Sequence, residues 1–147
     1  MPRLNFRFTT AEIDPAKRRG LLSRQKLGKY KLNPTRIFGD IHELPGPAYC
    51  FLTGQHATQD HADILVAGFC CKNLSSLNGK KVPFVGGSGI SASTYEGVRR
   101  LVEAWLPSLV ILENVRGLGH RRAADKGKVP LDSVNLGNVS SVKVVNL

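Results

Sequence analysis

Two adjacent cysteines, Cys70 and Cys71, are the strongest candidates for chemistry in this sequence. They follow the apolar run 64–67 and Gly68, and they stand in a polar segment that favours turns. Such a run is typical of a strand buried on both faces of a parallel sheet. Open α/β sheets hold reactive groups just beyond the carboxyl ends of their strands. The pattern predicts a cysteine nucleophile there, and the alternative is that Cys71 is a small buried apolar residue.

Acidic residues stand at the ends of three further predicted strands. Alternating or continuous apolar residues predict the strands 4–11, 36–41, 63–68 and 108–112. Glu12, Asp40 and Glu113 lie at or just after three of these ends, as Cys71 follows the remaining one. Because the carboxyl ends of parallel strands meet, we expect these four side chains to line one edge of a sheet.

Two helices are predicted between the strands. Asp14 as N-cap with Pro15 at the first helical position favours a helix from Pro15 to about Lys26. Its basic residues are interpreted as a solvated face: Lys17, Arg18, Arg19, Arg24 and Lys26. Capping-box spacing from Ser93 to Glu96 starts the second helix, and Pro107 stops it. Its predicted apolar face consists of Val98, Leu101, Val102, Trp105 and Leu106.

The alternation of strands and helices predicts an α/β fold with a mostly parallel sheet. Residues 45–60 show no clear period and are predicted to be a loop. We divide the chain into a domain over 1–117 and a poorly ordered basic tail over 118–147, in which Val139–Leu147 could form an edge strand. The tail's bases are interpreted as flexible and solvated, with nucleic-acid contact second: Arg121, Arg122, Lys126 and Lys128.

Composition and charge restrict the cellular compartment and the binding partners that the sequence predicts. The 147 residues are 41% hydrophobic and 22% charged, which is typical of one globular domain. A net charge of +10 favours nucleic acid or another polyanion, although a solvated basic surface is the simpler alternative. Three cysteines without C-x-x-C spacing predict no metal site and a reducing intracellular compartment. No apolar run is long enough to cross a membrane.

Several of these segments together resemble the cytosine-5 DNA methyltransferases. Ala67-Gly68-Phe69-Cys70-Cys71 with Leu74-Ser75 resembles the family's catalytic motif Gly-Phe-Pro-Cys-Gln and the Phe-Ser after it. The strand over 107–115, with Glu113-Asn114-Val115, resembles the second catalytic motif. Segments 11–15 and 39–41 resemble the two motifs that contact the cofactor. The resemblance covers roughly 8–117 and implies an incomplete Rossmann-like sheet of the S-adenosylmethionine-dependent methyltransferases.

The resemblance implies catalytic roles for four residues. Cys71 would be the nucleophile that adds to carbon 6 of a flipped cytosine in DNA. Glu113 would hold and protonate ring nitrogen 3, and Asn114 and Val115 would shape the pocket. Carbon 5 would then take the methyl group of S-adenosylmethionine.

The same resemblance implies four residues that contact the cofactor. Glu12 would accept hydrogen bonds from the ribose hydroxyls, and Ile13 would lie against the adenine. Asp40 would accept from the adenine amino group, and Ile41 would pack on the ring. In a eukaryote the family implies a nuclear protein.

The sequence departs from the family pattern in three respects. Cys70 replaces a proline, and Lys72 replaces a glutamine beside the candidate nucleophile. The family's glycine-rich first motif and its later motifs have no counterpart among these residues. We therefore expect the chain alone to bind S-adenosylmethionine weakly and to be inactive without a complementary chain. The alternatives are a non-catalytic basic module that binds nucleic acid, with vestigial methyltransferase motifs, and an unrelated cysteine hydrolase.

Overall fold

The protein is a mixed α/β chain with small, mostly parallel sheets. The computed structural model describes residues 7–27, 33–75, 82–84, 88–121, 123–133, 136 and 142–146. The chain forms two compact units, Met1–Gln59 and Asp60–Leu147, which are described separately. The predicted α/β class with mostly parallel strands is confirmed. The domain boundary at residue 117 and the poor order of the tail stay predictions.

The first unit is built on a parallel pair of strands. β1 (Phe8–Ala11) pairs with β2 (Pro34–Phe38), and α1 (Pro15–Lys26) lies between them in the chain. Residues 4–6 of the predicted first strand lie outside the described residues. The second strand was predicted to reach Ile41 but ends at Phe38, because Asp40 caps a 3₁₀ turn over Ile41–Glu43.

α1 begins where local capping signals predict it. The Asp14 carboxylate accepts hydrogen bonds from the backbone N–H groups of Ala16 at 2.7 Å and Lys17 at 3.1 Å. The bonds from Lys17 and Ala16 also hold the pKa of Asp14 below its ordinary value. The predicted N-cap and the helix bounds are confirmed.

The prediction of a loop over 45–60 is wrong. β3 (Ala48–Cys50) and β4 (Gln55–Ala57) form an antiparallel hairpin, whose turn includes Gly54 at φ +71°. Two three-residue strands are too short to produce a period that a sequence window can detect. The hairpin is joined to β2, since the Phe51 N–H donates to the Ile37 carbonyl at 2.8 Å.

The second unit contains a three-stranded parallel sheet. β5 (Ile64–Gly68) pairs with β6 (Leu109–Asn114), and β6 pairs with β7 (Val142–Asn146). β7 lies within the predicted strand 139–147 and at an edge of the described sheet, as predicted. α2 (Ile90–Trp105) lies between β5 and β6 in the chain, and short 3₁₀ turns follow β6. None of the described helices is long and apolar enough to cross a membrane.

β5 is not buried on both faces, contrary to the prediction. Ile64 is 51% exposed and Val66 is 66% exposed, whereas Ala67 on the opposite face is buried. On β6 the alternate residues Val110 and Leu112 are fully buried. Within the described residues the sheet therefore buries one face, and β5 has one hydrogen-bonded neighbour.

α2 begins at Ile90, before the predicted capping box at Ser93, and buries most of its predicted face. Val98, Leu101, Val102 and Trp105 are buried, as predicted. Leu106 was assigned to this face but is 68% exposed. It adopts the left-handed C-cap conformation at φ 47°, which turns the chain out of the helix before Pro107.

Candidate active site

The candidate nucleophile lies on a hydrogen-bonded turn directly after β5. The carbonyl of Cys71 accepts from the N–H groups of Leu74 and Ser75, each at 2.9 Å. Cys70 and Cys71 are free thiols, and both are half-buried. Cys71 is therefore not a fully buried core residue. A turn with fixed backbone bonds is a suitable support for a nucleophile that must meet its substrate in one orientation.

Glu113 lies opposite Gly68 in the ladder between β5 and β6. A Cβ atom built on Gly68 would lie 2.8 Å from Glu113 Oε2 and 3.9 Å from its Cδ. The carboxylate therefore passes directly over the Gly68 backbone, two residues before Cys70. Glu113 stands within β6 instead of after it, one residue before the strand ends. The absence of a side chain at residue 68 leaves the space that this carboxylate occupies.

Asn114 ties the ends of β5 and β6 together. Its side chain is 1% exposed and donates from Nδ2 to the Phe69 carbonyl at 2.9 Å. Its Oδ1 accepts from the Val115 N–H at 2.9 Å. A buried amide with both ends bonded fixes the chain direction at the start of the cysteine turn. Asn114 is thus a positioning residue for the cysteine turn, and Val115 is held through its backbone.

The first turn of α2 holds the cysteine turn by three further bonds. The Cys70 N–H donates to Thr94 Oγ1 at 3.0 Å, and the Asn73 N–H donates to Ser91 Oγ at 3.0 Å. In return the Ser91 N–H donates to Asn73 Oδ1 at 3.2 Å. Sequence reasoning missed all three polar partners. In the sequence these partners are visible only as hydroxyl and amide side chains, and the residues that bond to each other are 18 to 24 positions apart.

Asn73 acts as the side-chain cap that α2 lacks locally. The N-cap residue Gly89 makes no side-chain hydrogen bond. A Cβ atom there would lie 2.5 Å from Val82 Cγ2 and 2.8 Å from Asn73 Oδ1. Because a local capping side chain has no room, the acceptor comes from Asn73 in the cysteine turn. This explains why α2 begins before the predicted capping box at Ser93.

We expect Asn73→Ala to destabilise the second unit by about 0.5–2 kcal/mol, the usual cost of losing a helix cap. Asn73→Asp keeps the acceptor and adds a negative charge at the helix N-terminus, so it should retain stability. Urea unfolding followed by circular dichroism measures both. Equal loss in the two variants would contradict the capping role.

The turn after β6 packs against the cysteine turn with no space between the two backbones. A Cβ atom on Gly117 would lie 1.9 Å from the Leu74 carbonyl oxygen. Leu74 is buried, and the rings of Phe69, Phe84 and Tyr95 form a buried cluster in the same unit with centroids 5.2–5.8 Å apart. Residues 69–75 are therefore held by α2, by Asn114 and by Gly117.

Glu12 and Asp40 follow the two strands of the first unit, and each uses one oxygen locally. Glu12 Oε1 accepts from the Asp14 N–H at 2.9 Å, and Asp40 Oδ1 accepts from the His42 N–H at 2.9 Å. The Glu12 N–H donates to the Phe38 carbonyl at 3.1 Å, which places both acids at the carboxyl end of the β1–β2 pair. Ile13 is 65% exposed, and Ile41 is half-buried.

Arg18 was assigned to a solvated face, and this assignment is wrong. Its guanidinium stacks 3.9 Å above the centroid of the Phe51 ring. Nη1 donates to the carbonyls of Glu12 at 2.8 Å and Ile13 at 3.3 Å. Arg18 therefore fixes the backbone that carries Glu12, by a cation–π contact and two charged hydrogen bonds. Helix periodicity could not reveal a contact with a residue 33 positions further along the chain.

The predicted site residues fall into two sets. Glu12, Ile13, Asp40 and Ile41 belong to the first unit, and the catalytic set belongs to the second: Cys71, Glu113, Asn114 and Val115. Within the second unit the ladder and the Asn114 bonds bring β6 and the cysteine turn together. The single sheet edge expected for all four strand ends stays a prediction. Across the described ranges, no group of three or more metal-ligating residues occurs.

The described elements define a mixed α/β protein with a thiol and a carboxylate at adjoining ends of two parallel strands. The chain belongs to the C-5 cytosine-specific DNA methylase family, whose family model matches residues 24–138. The match includes Asp40, Cys71 and Glu113, whereas Glu12 and Ile13 precede it. Neither the curated proteins nor the solved structures include a match to this chain.

Proposed function

We propose that the chain is a DNA cytosine-5 methyltransferase domain that uses Cys71 as its nucleophile. The observation that carries this proposal is the contact between the ends of β5 and β6. There the Glu113 carboxylate lies over Gly68, and the Asn114 amide donates to the Phe69 carbonyl. Cys71 follows β5 and Glu113 lies in β6, so the same pair of strands supports both residues. A pyrimidine ring needs both groups at once, a thiolate at carbon 6 and an acid at nitrogen 3.

The proposed reaction uses each group in a defined step. The Cys71 thiolate adds to carbon 6 of an extruded cytosine, and Glu113 gives a proton to nitrogen 3 as electrons move into the ring. The electron pair at carbon 5 then takes a methyl group. Water then takes the proton from carbon 5, the carbon–sulfur bond breaks as the 5–6 double bond forms again, and nitrogen 3 returns its proton to Glu113, which leaves 5-methylcytosine and the free thiolate. Asn114 and Val115 would shape the base pocket, Asn114 through its hold on the backbone of Phe69 and Val115.

S-adenosylmethionine would supply the methyl group, and the first unit offers hydrogen-bond acceptors of the right type. The backbone bonds use Glu12 Oε1 and Asp40 Oδ1, which leaves Oε2 and Oδ2 to accept from a ligand. These two acceptors suit ribose hydroxyls and an adenine amino group. The exposed Ile13 side chain and the neighbouring Ile41 suit the faces of the adenine ring.

We further propose that the chain is inactive alone and acts with a complementary chain, in the nucleus if the source is a eukaryote. Two observations support a missing neighbour. Within the described residues β1 pairs only with β2, and β5 pairs only with β6. The β5 side chains Ile64 and Val66 are also more than half exposed. The completed fold would be a Rossmann-like sheet.

A covalent trap tests these proposals together. Duplex DNA that contains 5-fluorocytosine blocks the final elimination, so the enzyme stays attached to the base. The tagged chain is isolated from its source cells with its partners, and a second sample is stripped of partners in high salt. With S-adenosylmethionine we expect an adduct in the first sample and none in the second. Cys71→Ser should abolish the adduct, and the matched control Cys70→Ser should retain it.

The outcomes separate the enzyme from the second candidate, a non-catalytic basic module. An adduct that persists in Cys71→Ser overturns the assignment of the nucleophile. An adduct formed by the stripped chain overturns the need for a partner. No adduct in either sample, with salt-sensitive DNA binding intact, supports the basic module, which the net charge of +10 favours independently.

A further inference from the structure

A basic cleft lies in the second unit, away from the cysteine turn in the sequence and unused by the proposed reaction. It has a volume of about 450 Å³ and is lined by Arg121, Lys126, Gly127, Lys128, Val129 and Asp132. Three cations face one carboxylate, which leaves two net positive charges. The cations are exposed, so they can reach a ligand larger than the cleft itself.

Two of the cations, Lys126 and Lys128, lie on a tight turn. The Lys128 N–H donates to the Asp125 carbonyl at 3.0 Å, and the two residues between them have positive φ: 55° at Lys126 and 74° at Gly127. These are the features of a type I′ turn. Lys126 and Lys128 therefore lie near each other on one compact loop. A non-glycine residue at positive φ is uncommon and suggests a function for the Lys126 side chain.

The turn is fixed to the core of its unit on both sides. On one side the Asp125 carboxylate accepts from the Phe84 N–H at 2.6 Å, and Phe84 belongs to the buried aromatic cluster. On the other side Pro130 is fully buried, and the Asp132 N–H donates to the Val129 carbonyl at 3.1 Å. Lys126 and Lys128 therefore lie on a turn that has hydrogen-bonded and buried neighbours on both sides.

Asp132 lines the same cleft, but none of the described residues forms an ion pair with the cleft cations. Arg121, Lys126 and Lys128 form no ion pair or hydrogen bond through their side chains with any part of the chain that the structure describes. By contrast, Arg99 on α2 is held between Glu96 and Glu103. A cleft lined by three cations and one carboxylate is suited to an external anion. The excess of 21 basic over 11 acidic residues makes a polyanion the better partner than a single small anion.

We propose that this cleft binds the phosphodiester backbone of nucleic acid, as a contact separate from the methyl-transfer site. Arg121 presents a planar fork that can bind two phosphate oxygens, and Lys126 and Lys128 act as point charges beside it. The contact is to the backbone and carries no base specificity. Binding through this cleft would hold the duplex whichever base is to be modified.

The test is a salt titration of binding to a 20-base-pair duplex without cofactor. The variant carries Arg121→Gln, Lys126→Asn and Lys128→Gln, where asparagine tolerates the positive φ. The charge-matched control carries Arg7→Gln, Arg19→Gln and Arg100→Gln, three exposed residues elsewhere. Each phosphate contact contributes about 0.9 to the slope of log K against log salt, so the slope of the cleft variant should shrink by roughly 1.8–2.7.

The cleft assignment is tested by comparing the salt slope of the cleft variant with that of the charge-matched control. Equal loss in the two variants would show that net charge alone binds DNA, and would overturn the cleft. A second arm follows the amide resonances of residues 126–128 during titration with inorganic phosphate. Saturation by phosphate as readily as by duplex would overturn the phosphodiester assignment, and no saturation supports it. Because binding is measured without cofactor and in the presence of Cys71, failure here leaves the methyltransferase proposal intact.

Discussion

Gly117→Ala should destabilise the second unit by about 1–3 kcal/mol, the usual cost of overpacking a closed contact. The new methyl group would lie 1.9 Å from the Leu74 carbonyl oxygen, and a backbone atom cannot rotate away as a side chain can. One of the two turns must therefore move. Because Leu74 bonds to the Cys71 carbonyl, we expect the cysteine turn to be displaced as well.

The matched control for this change is Gly119→Ala, two residues further along the same 3₁₀ turn. A Cβ atom on Gly119 meets nothing within 4 Å. Gly119→Ala therefore removes the same backbone freedom as Gly117→Ala but introduces no clash. Thermal unfolding gives the stability of both variants. Alkylation of Cys71 with a fluorescent maleimide, read by mass spectrometry, reports whether the thiol has moved. Equal stability in the two variants would contradict the close contact of the two backbones.

Asn114→Ala should cost about 2–4 kcal/mol, because a buried carbonyl and a half-buried N–H group lose their partners together. The Phe69 carbonyl would lose its donor, and the Val115 N–H would lose its acceptor. Asn114 is 1% exposed, so water cannot easily replace the amide. Chemical denaturation measures the loss, and the 5-fluorocytosine trap in the partner-bound sample should fall with it.

Asn114→Asp provides a sharper test of the same contact. The carboxylate keeps the bond from the Val115 N–H but faces the Phe69 carbonyl, which can only accept. Protonation restores a donor, so the folded state should raise the pKa of this carboxyl above that of the unfolded chain. Stability of the variant should therefore be greatest below the unfolded pKa and fall as pH rises through the folded pKa. A pH-independent deficit would contradict the hydrogen bond to Phe69.

Local signals explain the parts of the fold that the sequence predicts correctly. Asp14 and Pro15 are neighbours of the helix they start, so the bounds of α1 follow from a few residues. The apolar runs of β5 and β6 are likewise continuous, and their pairing follows from strand–helix alternation. The catalytic candidates were located through motif resemblance, and the family is confirmed over residues 24–138.

The errors arise from contacts between distant residues. The start of α2 depends on Asn73, which is 18 positions before Ser91 and supplies a cap that no local pattern contains. Arg18 reads as one more base on a helix, yet it lies on Phe51. The exposure of Val66 depends on which elements cover β5, and strand composition does not report this. Gly117 gave no signal, because glycine in a polar segment predicts a flexible turn.

The contact between Gly68 and Glu113 restricts how this sequence can evolve. A Cβ atom at residue 68 would lie 2.8 Å from Glu113 Oε2, so the carboxylate would have to rotate away from its present position. An acid that has rotated would present its proton from a different place. A lineage that retains Glu113 for chemistry should therefore favour glycine at residue 68. We expect the two positions to covary, although 45 positions separate them in the chain.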